Sequence, residues 1–558
     1  MKLSILAILC IAAAAPLVAD VEKGSLASLI QEGNRKAALE KIRAGADVNE
    51  AQPDGTRPIH WAVYRVDYEL LDALIAKKAR VDVTNEFGST PLAEAAKLGD
   101  ARMVKTLLDA GAKPDTPNQD GETALMLAIK TGELPVVEML IRAGANANAM
   151  ETFHQQTALM WAASAPKNAG EIVKLLLSKG ADFKPRALYS DWESQITSEP
   201  RAQYRPVGGL TTLLYAARNG CYECVDELIA AGADVNLPTP EAVTALMLAV
   251  DNDHNDVAKL LLDRGANPNV WDWWGRTALY IAIDRKATAA APARGGLFGG
   301  RGARGVAPPA ARASSRPAVS SMEIIQALLA AGVDVNVPLN MHRPSRGGNS
   351  GRFIEEFRNT GCTPLFRATE AGDTEVVRLL LDKGANPNIS AMGLTPFLIA
   401  AGVGTGGRGT GLAASTSAGG AVNQSIMDLL LQHGADLNAQ VTGTKTYSLR
   451  ISRAPSSTEG MTALHVAAQG SKTDLVRYLI EKGANPGLLD ANGHKPIDLV
   501  ASAGARAGGA QPPARGSATG SAGDPPAAAG ARGGPGPRGA DPAAIAEVRA
   551  LLEAASNK

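Results

Sequence analysis

The chain has 558 residues, more than one hydrophobic core can organise, because single cores stop growing near about 250–300 residues. Its 56 basic and 56 acidic residues balance, so no global charge steers it toward nucleic acid or an anionic membrane. Aromatic residues make up only 4% of the chain, which favours closely packed helices of small and aliphatic residues over an aromatic-rich sandwich.

The first 19 residues have the pattern of a cleaved secretory leader. Lys2 precedes an apolar stretch over residues 3–15 that is interrupted only by Ser4, and Ala19 provides a small residue before Asp20. The apolar stretch is too short for a membrane-spanning helix, and no later stretch is apolar enough to be one. A leader over 1–19 predicts a mature protein that is exported, either periplasmic or secreted.

A motif of about 33 residues recurs along the rest of the chain. The segment GSTPLAEAAKLGDARMVKTLLDAGAKPD recurs as GETALMLAIKTGELPVVEMLIRAGANAN and as GCTPLFRATEAGDTEVVRLLLDKGANPN. Successive opening residues are separated by 33, 33, 34, 54, 33, 33, 86, 32, 67 and 33 positions. The residues that open the motif are Arg57, Thr90, Thr123, Thr157, Thr211, Thr244, Thr277, Thr363, Thr395, Thr462 and Lys495.

Each unit predicts two short helices followed by a hairpin-like finger. The opening Thr can cap the first helix, apolar residues recur at helical spacing in both helices, and a Gly ends the second one. A pair of helices of this length cannot bury its own apolar faces, so each unit needs a neighbour on both sides.

In period and motif residues this unit resembles the ankyrin repeat. The resemblance implies an all-α repeat fold, an ankyrin solenoid of helix-turn-helix units with hairpin fingers, with eleven motif-bearing repeats and an N-terminal capping helix pair over 20–49. It covers nearly all of residues 24–558 apart from insertions. The edge units depart from the motif, with Arg57 in place of Thr, Lys78 in place of the closing Gly, and Asp498 at the motif's His position.

Three insertions fall between the two helices of a repeat. They lie at 287–320, 402–421 and 501–540 and consist mainly of Gly, Ala, Pro, Ser and Arg. Segments of this composition cannot bury enough apolar surface to offset the entropy of ordering, so we expect disorder. Ankyrin repeats are therefore predicted over 50–286 and 321–500.

Three further insertions lengthen fingers, at 184–207, 338–361 and 439–460. They mix aromatic residues with arginine, and long loops of this kind often carry function. Their aromatic side chains either bind a partner or pin each loop to the array. After the last insertion, residues 541–558 predict a C-terminal capping helix, the partner of a helix over HKPIDLVAS.

Cys221 and Cys224 form a CxxC at the start of a predicted second helix. Cys224 holds a repeat position that is otherwise apolar and should be core, whereas Cys221 holds one that is otherwise polar and should be exposed. In an oxidising compartment the pair suits a local disulfide, and a thiolate at a helix N-terminus would suit a redox role. Cys362 belongs to a distant repeat and is expected to be a free thiol.

The remaining motifs predict no catalytic residue, cofactor or metal site. Two GxGxxG matches, at 300–305 and 404–409, lie in Gly-rich filler without the strand and helix that phosphate binding requires. His60 and His465 occupy the motif's His position, which is structural in the ankyrin family. No metal or nucleophile motif such as HExxH or GxSxG is present in the sequence, so we expect a protein that is not an enzyme.

The finger VWDWWGRT is the sharpest candidate for a partner contact. Trp271, Trp273 and Trp274 hold finger positions that are normally polar, and three exposed indoles would form a patch on the order of 700 Å². Such a patch either contacts a partner or packs on the adjacent finger. Trp61 and Trp161 precede the repeat's Ala and are expected in the core.

These observations predict a non-enzymatic, extracytoplasmic module that binds a protein through a concave surface of first helices and fingers. Mixed charges favour a protein partner over nucleic acid, and we expect a monomer without a membrane span. The alternatives are a thiol redox protein that uses the CxxC pair, and a secreted effector that acts on a foreign cell. The filler composition is typical of bacterial proteins. The candidate contact residues are Trp271, Trp273, Trp274, Phe87, Lys97, Lys130, Arg218, Asp251 and Asp284.

Overall fold

The computed structural model describes nine segments of the chain. The expected leader over 1–19 lies outside them, as do nearly all of the segments expected to be disordered and the interiors of the long fingers. The described segments are residues 24–190, 207–273, 275–290, 318–339, 361–391, 393–403, 422–442, 458–500 and 541–557.

The described residues divide into two units. The first comprises those up to Trp273 together with residues 318–331, and the second comprises 275–290 and those from 332 onward. The helices of the first unit are α1 Leu26–Gln31, α2 Arg35–Arg43, α3 Pro58–Tyr64, α4 Tyr68–Ala76, α5 Pro91–Leu98, α6 Ala101–Asp109, α7 Ala124–Thr131, α8 Leu134–Arg142, α9 Ala158–Ala162, α10 Ala169–Ser178, α11 Thr212–Arg218, α12 Tyr222–Ala230, α13 Ala245–Asp251, α14 Asn255–Asp263 and α16 Ser321–Ala330.

The second unit continues the same pattern. Its helices are α15 Ala278–Ala290, α17 Pro364–Ala371, α18 Thr374–Asp382, α19 Pro396–Ala400, α20 Gln424–Gln432, α21 Ala463–Gln469, α22 Thr473–Glu481 and α23 Pro542–Ser556. In both units first helices pack on first helices and second helices on second helices. The predicted all-α array of helix pairs is therefore confirmed.

Every opening threonine except Thr123 caps its first helix, because its hydroxyl accepts from a backbone N–H that the helix leaves unpaired. Thr90 Oγ1 accepts from the amide of Ala93 at 3.0 Å, and Thr363 Oγ1 from that of Phe366 at 3.2 Å. Two residues after the opening position, a large apolar side chain is buried in the core. These core residues are Ile59, Leu92, Leu125, Leu159, Leu213, Leu246, Leu279, Leu365, Phe397 and Leu464.

A second set of hydrogen bonds joins seven of the units to the next, from the Asn or Asp that ends the ADVN-like motif. Asn388 Oδ1 accepts from the amide of Asp436 at 2.8 Å, and its Nδ2 donates to the carbonyl of Gly434 at 2.8 Å. One amide side chain thereby bonds both an N–H and a C=O of the following repeat. The residues that accept in this way are Asn49, Asp115, Asn148, Asn236, Asn336, Asn388 and Asn438.

Short fingers are closed by a pair of backbone hydrogen bonds. Asn85 N–H donates to the carbonyl of Ser89 at 3.2 Å, and Gly88 N–H donates back to the carbonyl of Asn85 at 2.9 Å. The Asn85 side chain also accepts from the amides of Phe87 and Ser89. A polar residue at this position therefore fixes the tight turn.

Long fingers keep the same closing pair at their base. Leu339 N–H donates to the carbonyl of Cys362 at 3.0 Å, and Val441 N–H to that of Met461 at 2.9 Å. In each case the residue before the acceptor donates back, at 2.7 and 2.8 Å. The segment between the paired residues is much longer than in a short finger, and the polar residue of the short finger is replaced here by a buried aliphatic one.

The finger expected over 184–207 has a different base. Two short strands, β1 Tyr189–Ser190 and β2 Val207–Gly208, pair antiparallel there. Two boundaries also differ from expectation: α15 continues to Ala290, four residues into the expected insertion 287–320. The helix expected in HKPIDLVAS is only a 3-10 turn over Pro496–Leu499.

The motif's His is a buried link between repeats. His60 Nδ1 accepts from the Arg57 amide at 3.1 Å, so Nε2 carries the proton and donates to the carbonyl of Ser89 at 3.2 Å. His465 makes the equivalent contacts in the second unit. At the same position of the last repeat, Asp498 Oδ2 accepts from the Lys495 amide at 2.8 Å. The departure from the motif thus retains the capping bond.

Lys78 shows what the closing glycine provides. Most closing positions hold Gly in the left-handed region, for example Gly111 at φ 91°, and Lys78 adopts φ 64° in its place. A residue with a Cβ is strained there.

We expect Lys78→Gly to stabilise the protein by about 0.5–1 kcal/mol, net of the extra freedom that Gly gives the unfolded chain. Gly111→Lys is the matched opposite change, because a Cβ at Gly111 meets no atom within 4 Å. It should destabilise by about 1 kcal/mol, through backbone strain alone. Urea unfolding of both variants is the measurement; a Lys78→Gly protein that is less stable than wild type would contradict the strain.

Acid should weaken the array through the two buried histidines. Burial lowers the pKa of His60 and of His465. Below about pH 6.5 these two histidines therefore bind protons more readily in the unfolded chain than in the folded one. Stability should therefore fall as the pH drops below 6.5 toward the folded pKa values, by at most about 1.4 kcal/mol per pH unit for each histidine.

The measurement is denaturant unfolding at several pH values above and below the ordinary histidine pKa. In a double variant His60→Gln, His465→Gln the dependence on pH should be shallower than in wild type. An equally steep curve in the double variant would show that other groups are responsible.

Candidate binding cleft and fingers

The first helices present one open face. Residues four and seven positions after the opening residue lie one helical turn apart and share that face, which we call the first-helix face. In the first unit its residues at position seven are exposed or half-exposed. They are Tyr64, Lys97, Lys130, Ser164, Arg218 and Asp251. Those at position four are Trp61, Glu94, Leu127, Trp161, Tyr215 and Leu248.

A cavity of about 310 Å³ lies on this face, across α7, α9 and α11. We call it the cleft. Two of the predicted contact residues, Lys130 and Arg218, line it together, although 88 positions separate them in the sequence. The other lining residues are Gln156, Met160, Trp161, Ser164, Ala165 and Tyr215.

The cleft exists because α9, a first helix of the first unit, is short. Helix α9 has five residues, whereas α7 has eight. Beyond α9 the amide of Ala165 bonds the carbonyl of Ala162, three residues back, and Pro166 has no N–H with which to continue the helix. The small residue Ser164 stands where the neighbouring repeats carry Lys130 and Arg218, and it leaves room between them.

Each cation of the cleft lies over an aromatic ring. Lys130 Nζ is 5.5 Å from the ring centre of Trp161, and the Arg218 guanidinium carbon is 4.8 Å from that of Tyr215, distances typical of cation–π contacts. The Tyr215 hydroxyl accepts from Gln156 Nε2 at 2.7 Å, which fixes the far wall. None of the eight lining residues is acidic.

Trp61 and Trp161 hold the same repeat position but differ in hydrogen bonding. Trp61 Nε1 donates to Gln52 Oε1 at 2.7 Å. Trp161 Nε1 is buried without a hydrogen-bond partner among the described residues, a condition that is costly for a donor.

The expectation that Trp61 and Trp161 are core residues was wrong. Both are half-buried, because position four points along the first-helix face and not between the helices of the pair. The sequence analysis also missed Tyr64, an exposed aromatic in the same row as Lys97. Counting positions from the opening residue would have found it.

The fingers expose further aromatic side chains. Phe87 is 60% exposed, Trp271 53% and Trp273 38%. Trp273 is held by its amide, which donates to the carbonyl of Glu241 at 3.0 Å. Trp274 lies outside the described residues. Phe153, which the sequence analysis missed, is also exposed and lies two residues after its finger's turn-fixing residue, as Phe87 does.

The other predicted contact residues differ in exposure and in ion pairing. Lys97 is exposed and lies 4.0 Å from Glu94, whereas Asp251 is half-exposed. Asp284, in the second unit, accepts from Arg367 Nε at 2.8 Å and is committed to this ion pair.

Arg367 is nearly fully buried and also contacts Glu370 at 3.1 Å. Burial opposes the charge of Arg367, but Glu370 and Asp284 outweigh it and raise its pKa. The role of this cluster is to hold α15 and α17 together.

Cys221 and Cys224 are joined by a disulfide. Cys224 is buried as expected, but the expected exposure of Cys221 was wrong, since it is only 1% exposed. Cys221 is the N-cap of α12, where its bonded sulfur accepts from the Cys224 amide at 3.3 Å and lies against the core. Cys362 is buried and is not part of a disulfide.

The described segments lack two further features. They contain no group of three or more His, Cys, Asp or Glu side chains that could hold a metal ion. They also contain no helix that is both long and apolar enough to cross a bilayer.

A second cavity, of about 440 Å³, lies between α20 and α22 in the second unit. Its lining includes one cation, Lys472, and one carboxylate, Asp474. It therefore lacks the uncompensated charge of the cleft.

Stacked helix pairs that leave one helix face and a row of fingers open are the architecture of a repeat protein that binds other macromolecules. The model of the family "Ankyrin repeats (3 copies)" matches residues 26–118, 94–187, 209–291, 318–441 and 412–507. These matches cover most of the chain, and the protein belongs to the ankyrin repeat family. Ankyrin repeats indicate a protein–protein interaction module, and no catalytic family is indicated.

Similar proteins come from bacteria, mammals and a virus. The B-cell lymphoma 3 protein homolog of Mus musculus is 30% identical over 264 residues, 46% of this chain and 40% of that protein. The mitochondrial disaggregase of Homo sapiens is 35% identical over 33% of this chain and 24% of its own length. A putative ankyrin repeat-containing protein of Treponema pallidum (strain Nichols) is 42% identical over 15% and 29%. The chain thus spans well under half the length of these relatives.

Proposed function

We propose that this protein, as a monomer outside the cytoplasm, binds a protein partner through the first-helix face and the fingers. The observation that carries the proposal is the cleft, where two cations and two aromatic rings converge on an open surface. Tryptophan, tyrosine and arginine are the residues enriched at binding hot spots.

The exposed finger aromatics favour the same surface. Phe87, Phe153 and Trp271 are all more than half exposed, and apolar surface of this kind gains free energy when a partner removes it from water. Together with the cleft they provide a polar and an apolar part of one interface, as specific interfaces require.

The proposed location outside the cytoplasm is supported by the leader pattern and by the disulfide. Disulfides persist in oxidising compartments and are rare in the cytosol. Because both sulfurs are buried, an attacking thiolate has little access to them, which favours a structural role over the thiol redox alternative.

Site-specific photo-crosslinking tests the binding surface. Tyr64 and Phe87 are exposed aromatics on the first-helix face and a finger, and benzoylphenylalanine resembles both in shape. With extract of the source cell's envelope, each should form an adduct with the same protein, because the bound partner covers both positions.

Lys105 is the control, since its exposed side chain lies on a second helix, α6. The same probe at Lys105 should give no adduct with that protein. Adducts from Lys105 alone, or from none of the three positions, would contradict the proposed surface.

Export is tested by the N-terminus and the thiol count of the protein made with its leader. We expect the exported protein to begin at Asp20 and, when denatured without reductant, to react with a thiol reagent at Cys362 alone. Residues 20–558 made in a reducing cytoplasm are the control and should react at all three of their cysteines. A chain that keeps residues 1–19 and stays in the cytoplasm would contradict export.

A further inference from the structure

We propose that the cleft binds a carboxylate side chain from an acidic segment of the protein partner, an inference that rests on the proposed function and names the chemistry recognised. In the cleft Lys130, Trp161, Tyr215 and Arg218 line a common cavity on the first-helix face. Each of these residues restricts what the cavity can accept.

Charge is the first restriction. Lys130 and Arg218 line the cavity, no lining residue is acidic, and within the described residues no carboxylate forms an ion pair with either cation. One repeat earlier, Lys97 is offset by Glu94 at 4.0 Å. The uncompensated positive charge is therefore concentrated in the cleft and attracts an anionic group.

The cations that lie over the two aromatic rings argue against a positively charged ligand. A pocket with two rings could in principle hold a cationic ligand, such as a lysine or a quaternary ammonium group. Here the chain's own Lys130 and Arg218 lie over Trp161 and Tyr215, and a second cation would meet like charge. An anion would instead strengthen the hold of each cation in the cavity.

Hydrogen-bond donors favour a carboxylate over a simple halide-like ion. The Arg218 guanidinium presents a planar fork that matches two carboxylate oxygens, and the Lys130 ammonium adds a compact donor. A ligand with several acceptor oxygens uses more of these donors than any monatomic anion.

Size indicates a side chain and not a whole cofactor. About 310 Å³ is at the lower end of ligand pockets. The surface on either side of the cleft is formed by the neighbouring first helices α5 and α13. An extended acidic segment can therefore place one carboxylate in the cleft while its backbone continues along the first-helix face.

A matched pair of double variants tests the charge requirement. Lys130→Ala, Arg218→Ala removes both cations of the cleft, and Lys105→Ala, Arg142→Ala removes one Lys and one Arg from the exposed faces of α6 and α8. Both variants lose the same charge, and their side chains are exposed, so both should unfold at the temperature of the wild-type protein.

The probe is a phage-displayed library of random peptides panned on the full chain, followed by affinity measurements on the enriched peptides. Wild type should enrich peptides with Asp or Glu. Those peptides should bind the cleft variant about ten-fold more weakly or worse, bind the control variant as they bind wild type, and lose affinity as salt is raised.

Tryptophan resonances locate the bound peptide. The indole N–H signal of Trp161 is identified by its absence in Trp161→Phe, and it should shift when an enriched peptide binds. Trp61 has the same repeat position and a satisfied N–H, so its signal should stay in place. A shift of Trp61 without one of Trp161 would overturn the assignment to the cleft.

The outcomes separate this inference from the function it rests on. Enriched peptides without acidic residues, or equal binding to the cleft variant, would overturn the carboxylate site while adducts at Tyr64 and Phe87 still supported partner binding. Glutarate is the small-molecule comparison. If it shifts the indole N–H signal of Trp161 and displaces the peptides with an affinity equal to theirs, the ligand would be a small diacid and not a segment of a protein. No enriched peptide together with no adduct would overturn both.

Discussion

The contact between one repeat and the next is the constraint on which the rest of this structure depends. A helix pair of about twenty residues cannot offset its own ordering entropy, and its apolar side chains become buried only against neighbouring pairs. Bridging side chains such as Asn388 also fix the orientation of the following repeat, because Asn388 bonds both an N–H and a C=O of that repeat. The repeat spacing and the alignment of the first-helix face both follow from this contact.

The cleft arises where a repeat breaks its own pattern. Most first helices continue to a long side chain at position seven, but α9 ends early and Ser164 takes that place. The gap lets Lys130 and Arg218, from repeats on either side, line one cavity. A regular array gives an even surface, so a local irregularity in one unit is a direct way to make a specific one.

The sequence predicted the helix pairs because two periodicities coincide in it, the helical spacing of apolar residues and the 33-residue step between opening residues. It could not predict how deeply the Trp161 side chain is buried, since a tryptophan beside the repeat's Ala is compatible with both the core and the first-helix face. Cys221 was misplaced because it was compared with Asp100 and Asp373, which cap their helices by hydrogen bonds and without a covalent bond to the core residue three positions on. The cleft itself depends on where α9 ends, and Pro166 was the available signal.

The way the fingers are closed makes the stability of the helix array independent of finger length. The hydrogen-bond pair at the base of the Leu339 and Val441 fingers is the pair that closes an ordinary short hairpin, so the array receives the same support whatever lies beyond it. Mutation can therefore lengthen, shorten or replace such a loop without re-optimising the helices beneath. A lineage that carries this architecture can explore new recognition loops at little thermodynamic risk, and these bases are natural grafting points for protein engineering.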